Sequence, residues 1–311
     1  MQIHQDWQWL APEARGTSCA LGNFDGVHLG HQSIIDLARD KGPLGVITFE
    51  PHPRQVFQPD GPSFRLMNAE ARANRLAKLG VEHLFQLPFS KAMAALSPEA
   101  FVTEILSRGL GVSHVVVGED FSFGRDRSGG AQDLARLGES QGAGAGFRTT
   151  IAPLIRQGGT EISSTAIRRA LSEGRPRDAA AMLGHWHRIE GEVVHGEKRG
   201  RELGFPTANM GLGGLHLPKF GVYAVEVDVL TGPQAGRYMG AASLGVRPMF
   251  DGEVPNLETY LLDFKGDLYG QHLSVAMVDY LRPEMKFDGL PALIAQMEAD
   301  CGRARAILSA A

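Results

Sequence analysis

Short apolar runs alternate with helix-period segments through the first half of the chain. Cys19–Leu21, Leu44–Phe49, His83–Leu87 and Val115–Gly118 each read as a buried strand. Between them the spacing predicts helices over Ser33–Asp40, over Asn68–Leu79 closed by Gly80, and over Pro98–Arg108, where Ser97 can cap and Pro98 suits the first turn. This βαβα order implies a doubly wound α/β domain with a parallel sheet, whose ligands bind beyond the strand C-termini. Two further helices, Ser164–Glu173 and Pro176–Leu183, are closed by Gly174 and Gly184, which sets an expected boundary between residues 1–184 and 185–311. Past it the period changes to two. Arg188–Val194, Val222–Leu230, Tyr238–Leu244, Leu257–Phe264 and Leu273–Tyr280 predict an antiparallel β-barrel or sandwich. Pro291–Leu308, with Leu293, Ile294 and Met297 at helical spacing, predicts a C-terminal helix packed across it.

Composition narrows the function classes. A chain of 311 residues with 43% hydrophobic side chains can bury two cores. Its net charge of −4 supplies no broad field for nucleic acid or anionic membrane, so bound phosphate must be met locally by glycine-rich loops, helix N-termini and a cation. The two cysteines, Cys19 and Cys301, lie far apart with no clustered ligands, which argues against a disulfide framework or a thiolate metal site. Neither a signal peptide nor a transmembrane-length run is present, and the expected location is the cytoplasm. Oligomeric state has no sequence signature here.

The strongest local feature is Leu21-Gly-Asn-Phe-Asp-Gly-Val-His-Leu-Gly-His31, which joins the first apolar strand to a helix. Gly22, Gly26 and Gly30 permit a sharp, closely approached backbone, and His28 and His31 project near a helix N-terminus that already favours anions. Two imidazoles there can donate hydrogen bonds to triphosphate oxygens and to departing pyrophosphate. The alternatives are a metal site, for which no further ligand stands at helical spacing, and a glycine-rich turn with incidental histidines.

This segment resembles the H-x-G-H motif of nucleotidylyltransferases, and GNFDGVHLGHQ is similar to the string of bacterial bifunctional riboflavin kinase/FAD synthetases. Phe49-Glu-Pro-His-Pro-Arg54, Gly118-Glu-Asp-Phe-Ser-Phe-Gly124 and Ile162-Ser-Ser-Thr-Ala-Ile-Arg168 fit the same family in order. The resemblance implies ATP contacts at Gly22, Asn23, Phe24 and Gly30, with a second phosphate clamp at Ser163, Ser164, Thr165 and Arg168. Hydroxyls and free amides at a helix start, with an arginine one turn along, suit a triphosphate. An ordinary serine cap explains the same residues without function. The resemblance further implies that His52 lines the FMN site and that Asp120 contacts nucleotide or flavin; a surface-loop role is the alternative for both.

In the second half, Gly204-Phe-Pro-Thr-Ala-Asn209 follows the basic run Lys198-Arg-Gly-Arg-Glu-Leu203. Thr207 and Asn209 present paired hard oxygens of the kind Mg²⁺ accepts, although a proline-led turn with a capping asparagine is equally compatible. The string is similar to that with which riboflavin kinases organise Mg-ATP. Asn256-Leu-Glu-Thr-Tyr-Leu-Leu-Asp-Phe264 resembles the family strand whose glutamate, Glu258 here, activates the ribityl hydroxyl of riboflavin. Period-2 alternation puts Glu258 with Tyr260 and Leu262, which favours an inward position over an outward-facing one. Gly196 would admit phosphate close to the backbone. Arg247-Pro248-Met249 departs from the Asn/Arg-Pro-Thr of many relatives, so the threonine's contribution is missing. The expected activity is phosphorylation of riboflavin to FMN by a riboflavin-kinase-like barrel, followed by adenylylation of FMN to FAD by a nucleotidyltransferase-like domain. Alternatives are FMN adenylylation alone with a flavin-binding barrel, and a non-catalytic flavin-binding regulator. A nucleic-acid-binding protein has least support.

Overall fold

The four apolar runs of the first half become strands of one parallel sheet because each is covered on both faces and needs no polar alternation. A computed structural model describes residues 1–142, 144–157, 159–195, 205–249 and 252–310. They divide into two compact units, Met1–Pro62 with Arg72–Ile162 and Ser63–Ala71 with Ser163–Ala311.

In the first unit the sheet contains β1 (Gln2–His4), β2 (Ser18–Leu21), β3 (Leu44–Glu50), β4 (His83–Pro88), β5 (His114–Gly118) and, after the short pair β6 (Ser122–Phe123) and β7 (Gly129–Gly130), β8 (Arg148–Ala152). Their order is β1-β4-β3-β2-β5-β8, with every pairing parallel. From β2 the chain builds outward through β3 and β4, then crosses back to add β5 and β8. The switch point lies between β2 and β5, the place beyond the strand C-termini where sheets of this kind bind ligands. The sequence pattern misses β1 and β8 because they are edge strands with mostly exposed or half-buried residues.

The helix expected from Ser33 begins four residues earlier and spans Leu29–Ala38. Its cap is the ring of His28, a residue type outside the usual Ser/Thr/Asp/Asn signal. The helix after Ser97 runs Pro98–Ala100 and continues as a π-helix over Phe101–Leu110, ended by left-handed Gly111.

The first unit ends with the short pair β9 (Arg156–Gln157) and β10 (Thr160–Glu161), and the second carries the barrel strands β11 (His187–Glu192), β12 (Ala208–Gly211), β13 (Gly221–Val229), β14 (Gly236–Met249), β15 (Gly252–Leu261) and β16 (His272–Arg282). The order is β11-β16-β13-β14-β15-β12, all antiparallel, and a bridge between Val194 and Asn209 nearly closes it. Tyr223, Val225, Val227, Leu244, Leu257, Val275 and Met277 fill the interior. The helix Leu290–Ser309 lies on the outer face, where Ala304 and Leu308 pack on Val222, Ala224 and Ala241. Its anchor is also ionic: Asp300, 3% exposed, takes a forked pair of bonds from Arg282 at 2.8–3.1 Å.

Compactness divides the chain elsewhere than at 184/185. The helices Ser164–Ser172 and Pro176–Leu183 group with the second unit, because Ile167, Ala170, Leu171, Ala179 and Leu183 share an apolar cluster with Leu66. The amide of Lys219 also bonds the carbonyl of Leu171 at 2.9 Å.

Candidate active sites

Strand β2 ends at Leu21, and the chain must turn into a helix by Leu29. It does so through left-handed backbone at Phe24 (φ 51°), Gly26 (φ 90°) and Val27 (φ 44°). Only the glycine adopts this freely; bulky residues there cost of order 1–3 kcal/mol each and persist where surroundings over-determine them. Burial supplies part of that determination, since Phe24 and Val27 are wholly inaccessible. Hydrogen bonds supply the rest. Thr48 Oγ1 and Arg72 Nη1 donate to the carbonyl of Asn23 at 3.1 and 3.4 Å, and Gln32 Nε2 donates to that of Val27 at 2.8 Å.

The turn delivers His28 to the cap position, where its Nδ1 accepts the amide proton of His31 at 3.3 Å. The two imidazoles stack with centroids 3.6 Å apart, and Phe24 lies 5.1 Å from His31. Gly30 lies close beneath them: a Cβ there would meet the His28 ring at 3.1 Å, so the ring would have to shift by a few tenths of an ångström. Burial first, and then His28, hold the His31 imidazolium well below its ordinary range, so the ring is neutral at pH 7. Its buried Nδ1 has no partner among the described residues. A neutral ring with an unused nitrogen at a helix start can donate to an incoming phosphate oxygen, whose charge in turn favours protonation.

His52 caps the short helix Pro53–Phe57: its Nδ1 accepts the Arg54 amide, and the His52 amide donates to Gln55 Oε1. Asp120 is exposed in the turn that follows β5, where the Phe121 amide bonds the Gly118 carbonyl. Both turns lie at strand C-termini of the same sheet as Gly22, Asn23, Phe24 and Gly30.

In the second unit, Ser163 caps the helix Ser164–Ser172 by accepting the Ala166 amide at 3.3 Å. Ser164 and Thr165 occupy its first turn, and Arg168 follows one turn on. The Arg168 guanidinium donates Nε to the Phe64 carbonyl at 2.6 Å and lies over the Phe64 ring. The Ser163 oxygen is thus used by the helix, and Thr165 is exposed in its first turn.

On the barrel, strand pairing brings the distant motifs together. Asn209 stands opposite Glu258 between β12 and β15, and Ser243 stands opposite Glu258 between β14 and β15. The expected inward position of Glu258 is corrected. Leu257, Thr259 and Leu261 point into the core, so alternation turns half-buried Glu258 and Tyr260 to the outer face. Leu262, though buried, lies past the strand end in the following turn, so it does not report the face. Asn256 Nδ2 donates to Asn209 Oδ1 at 3.2 Å, and Asn209 Nδ2 donates to the Thr207 carbonyl at 3.2 Å. Phe205 packs edge-on to Tyr260 at 5.2 Å, which lays the Phe205–Thr207 segment against the same face. Burial raises the Tyr260 phenol, so it stays protonated.

Sequence reasoning missed Asn256, Ser243, Thr48 and Arg72. Asn256 was legible, since it precedes Glu258 by two positions and shares its face. Ser243 needed the register between strands. Gly196 and the basic run from Lys198 lie outside the described residues, as do the side chains of Arg247, Pro248 and Met249 at the end of β14. Among the described residues no three His, Cys, Asp or Glu side chains gather to hold a metal. A cation at Thr207 and Asn209 would need hard-oxygen partners from substrate phosphate and water, which suits Mg²⁺.

Two family profiles match consecutive parts of the chain, FAD synthetase over residues 10–166 and riboflavin kinase over residues 183–308. The chain is 40% identical to a bifunctional riboflavin kinase/FMN adenylyltransferase from Pseudomonas fluorescens, covering 99% of this chain and 98% of that one. It is 38% identical to the protein of the same description from Escherichia coli K12, covering 93% and 92%. A solved structure described as a macrolide-efflux protein from Streptococcus pneumoniae is 32% identical, with a TM-score of 0.81 and 96% of each chain covered. Among the described residues of this chain, no helix is long and apolar enough to cross a membrane.

Proposed function

Because the chain belongs to the family of bifunctional riboflavin kinase/FMN adenylyltransferases, we infer that it phosphorylates riboflavin to FMN with ATP and adenylylates FMN to FAD with release of pyrophosphate. The observation that carries the double assignment is the pairing of Asn209 with Glu258 on one barrel face, in a chain whose other unit holds the His28–His31 stack at a sheet switch point. Adenylylation alone would leave the barrel's oxygen-rich face unexplained.

Residues 1–184 act as the adenylyltransferase module and 185–311 as the kinase, a functional division that need not follow compactness. In adenylyl transfer the FMN phosphate, already an anionic nucleophile, attacks the α-phosphorus of ATP in line with the departing pyrophosphate. His28 and His31 stabilise the growing charge by hydrogen bonding, and Gly22, Asn23, Phe24 and Gly30 shape the backbone that approaches the nucleotide. Ser163, Ser164, Thr165 and Arg168 form the second phosphate-binding element, while His52 and Asp120 serve the flavin side.

In phosphoryl transfer Glu258 accepts or orients the proton of the ribityl hydroxyl as that oxygen attacks the γ-phosphorus. Gly196 admits phosphate to the backbone. Thr207 and Asn209 would hold Mg²⁺, which when bound neutralises charge on the transferred phosphate. ATP consumption in a biosynthetic reaction fits a cytoplasmic location.

Incubating the protein with Mg-ATP and either riboflavin or FMN, then resolving the flavins chromatographically, tests the reading. Riboflavin should yield FMN and then FAD, and chelation of the metal should stop both steps. FAD from FMN without FMN from riboflavin would leave only the adenylyltransferase.

A further inference from the structure

Arg72 is the largest side chain among the described residues to be fully buried, and nothing in the motifs accounts for it. It lies on the helix Ala69–Lys78 one turn before Leu76, on what would otherwise be an apolar stripe. Burying a guanidinium carries a large desolvation cost, and a buried ion pair is weak evidence of net stabilisation, since well-packed apolar residues often do as well. An apolar residue here, however, could not donate a hydrogen bond to the Asn23 carbonyl.

The surroundings are specific. Arg72 Nη2 is paired with Glu50 Oε2 at 2.8 Å and bonded to Gln86 Oε1 at 3.2 Å, which leaves Nη1 aimed at the Asn23 carbonyl at 3.4 Å. The ladder between β2 and β3 reaches only to the Gly22 amide, bonded to the Ile47 carbonyl at 3.1 Å. Asn23 is the next residue and opens the left-handed stretch. Its carbonyl takes two side-chain donors instead of a ladder bond, Thr48 Oγ1 being the other, and Thr48 is itself fully buried.

We propose that Arg72 is a positioning residue for adenylyl transfer: through the Asn23 carbonyl it fixes the left-handed turn that presents His28 and His31 to the nucleotide. The proposal rests on the assignment of the two histidines to that reaction. Glu50 and Gln86 orient the guanidinium, and Thr48 shares the carbonyl with it. A turn released from this anchor still binds substrates through its other groups, but it presents the imidazoles in the wrong place for the transition state.

The test is steady-state FAD formation from FMN and ATP by the full chain carrying Arg72→Met together with Glu50→Gln, which removes the carboxylate that Arg72→Met alone would strand. The expected result is a fall in kcat of about tenfold to a hundredfold, with KM for FMN and ATP within about threefold of wild type. Riboflavin phosphorylation by the same preparation should be unchanged, which certifies the second unit, while an unaltered circular dichroism spectrum and thermal transition certify that the first unit is folded. A folded double variant with wild-type kcat would overturn the proposal, because Arg72 would then serve only to neutralise Glu50. A raised KM at constant kcat would overturn it too, by making Arg72 a contributor to ground-state binding. Should the double variant not fold, Thr48→Val decides: it removes the second donor to the same carbonyl without touching a charge, and an undiminished kcat sinks the idea. His28→Ala runs alongside. If that variant makes FAD at the wild-type rate, the assignment of the histidines fails and the Arg72 proposal falls with it; if it is inactive while the Arg72 variant is not, only the positioning role is lost.

Discussion

The turn after β2 and the outer face of β12, β14 and β15 differ in how far apart their residues lie along the chain. Gly22 to His31 form one continuous segment, whose geometry comes from a strand end, a left-handed turn and a helix cap. On the barrel, Asn209 and Asn256 are 47 positions apart and meet only because β12 pairs with β15. The first site is a local structure held in place by distant anchors. The second exists only as a consequence of register, and a slip of one residue would turn Glu258 into the core and Leu257 onto the outer face.

Glu258→Gln tests the barrel side most sharply. It keeps size and hydrogen-bonding capacity, so the strand should fold, yet FMN production from riboflavin should fall ~10²–10⁴-fold, the usual contribution of a general base. Conversion of supplied FMN to FAD, followed in the same chromatographic assay, should remain near normal. Loss of both activities together would show that the two regions are not independent.

His28→Ala and His31→Ala make the converse cut. Losing a donor to developing negative charge costs about 3 kcal/mol, so FAD formation should drop by roughly a hundredfold or more while nucleotide affinity, measured by calorimetry, changes far less. Equal losses in rate and affinity would make the turn a binding element, closer in kind to the phosphate clamp.

A third comparison concerns proton uptake on unfolding. Burial, with His216 and His185 nearby, pushes His187 down to about 3, whereas in the unfolded chain it titrates near 6.5. Its neutral form therefore adds stability that is complete above about pH 6.5 and declines as pH falls toward 3, because the unfolded chain takes a proton the folded one refuses. Urea denaturation at pH 7 and pH 5 should show a loss of up to about 1.4 kcal/mol per pH unit from this residue. His187→Gln should flatten the slope by that one proton; an unaltered slope would mean the ring is not buried as described.

The smallest expected effect is on a fragment ending at Gly184. It retains the whole apolar cluster of Leu66, Ile167, Ala170, Leu171, Ala179 and Leu183. It should make FAD from FMN at a rate within about threefold of the full chain. A soluble, folded but inactive fragment would place the functional boundary nearer the compact division than at residue 184.

How much of this was legible in the sequence follows the same division. Buried parallel strands announce themselves as apolar runs, and Pro176–Leu183 ended where its glycine cap said it would. Helix Leu29–Ala38 started early because a histidine ring replaced the expected oxygen cap, and edge strands β1 and β8 left no signal because they are only partly covered. The candidate motif residues were readable because each motif is a short contiguous string. The orientation of Glu258 was not, because Leu262, which suggested an inward face, lies in the turn after the strand and not on it.

By itself the sequence determined the two architectures and the position of both candidate strings, since local period, turn residues and side-chain type are properties of neighbours in the chain. Tertiary structure alone decided that Arg72 and Thr48 converge on the Asn23 carbonyl, that Ser243 and Asn209 flank Glu258, and that two helices group with the barrel unit. Those are contacts between segments distant along the chain. Each depends on which surfaces are buried together, and no local pattern encodes that.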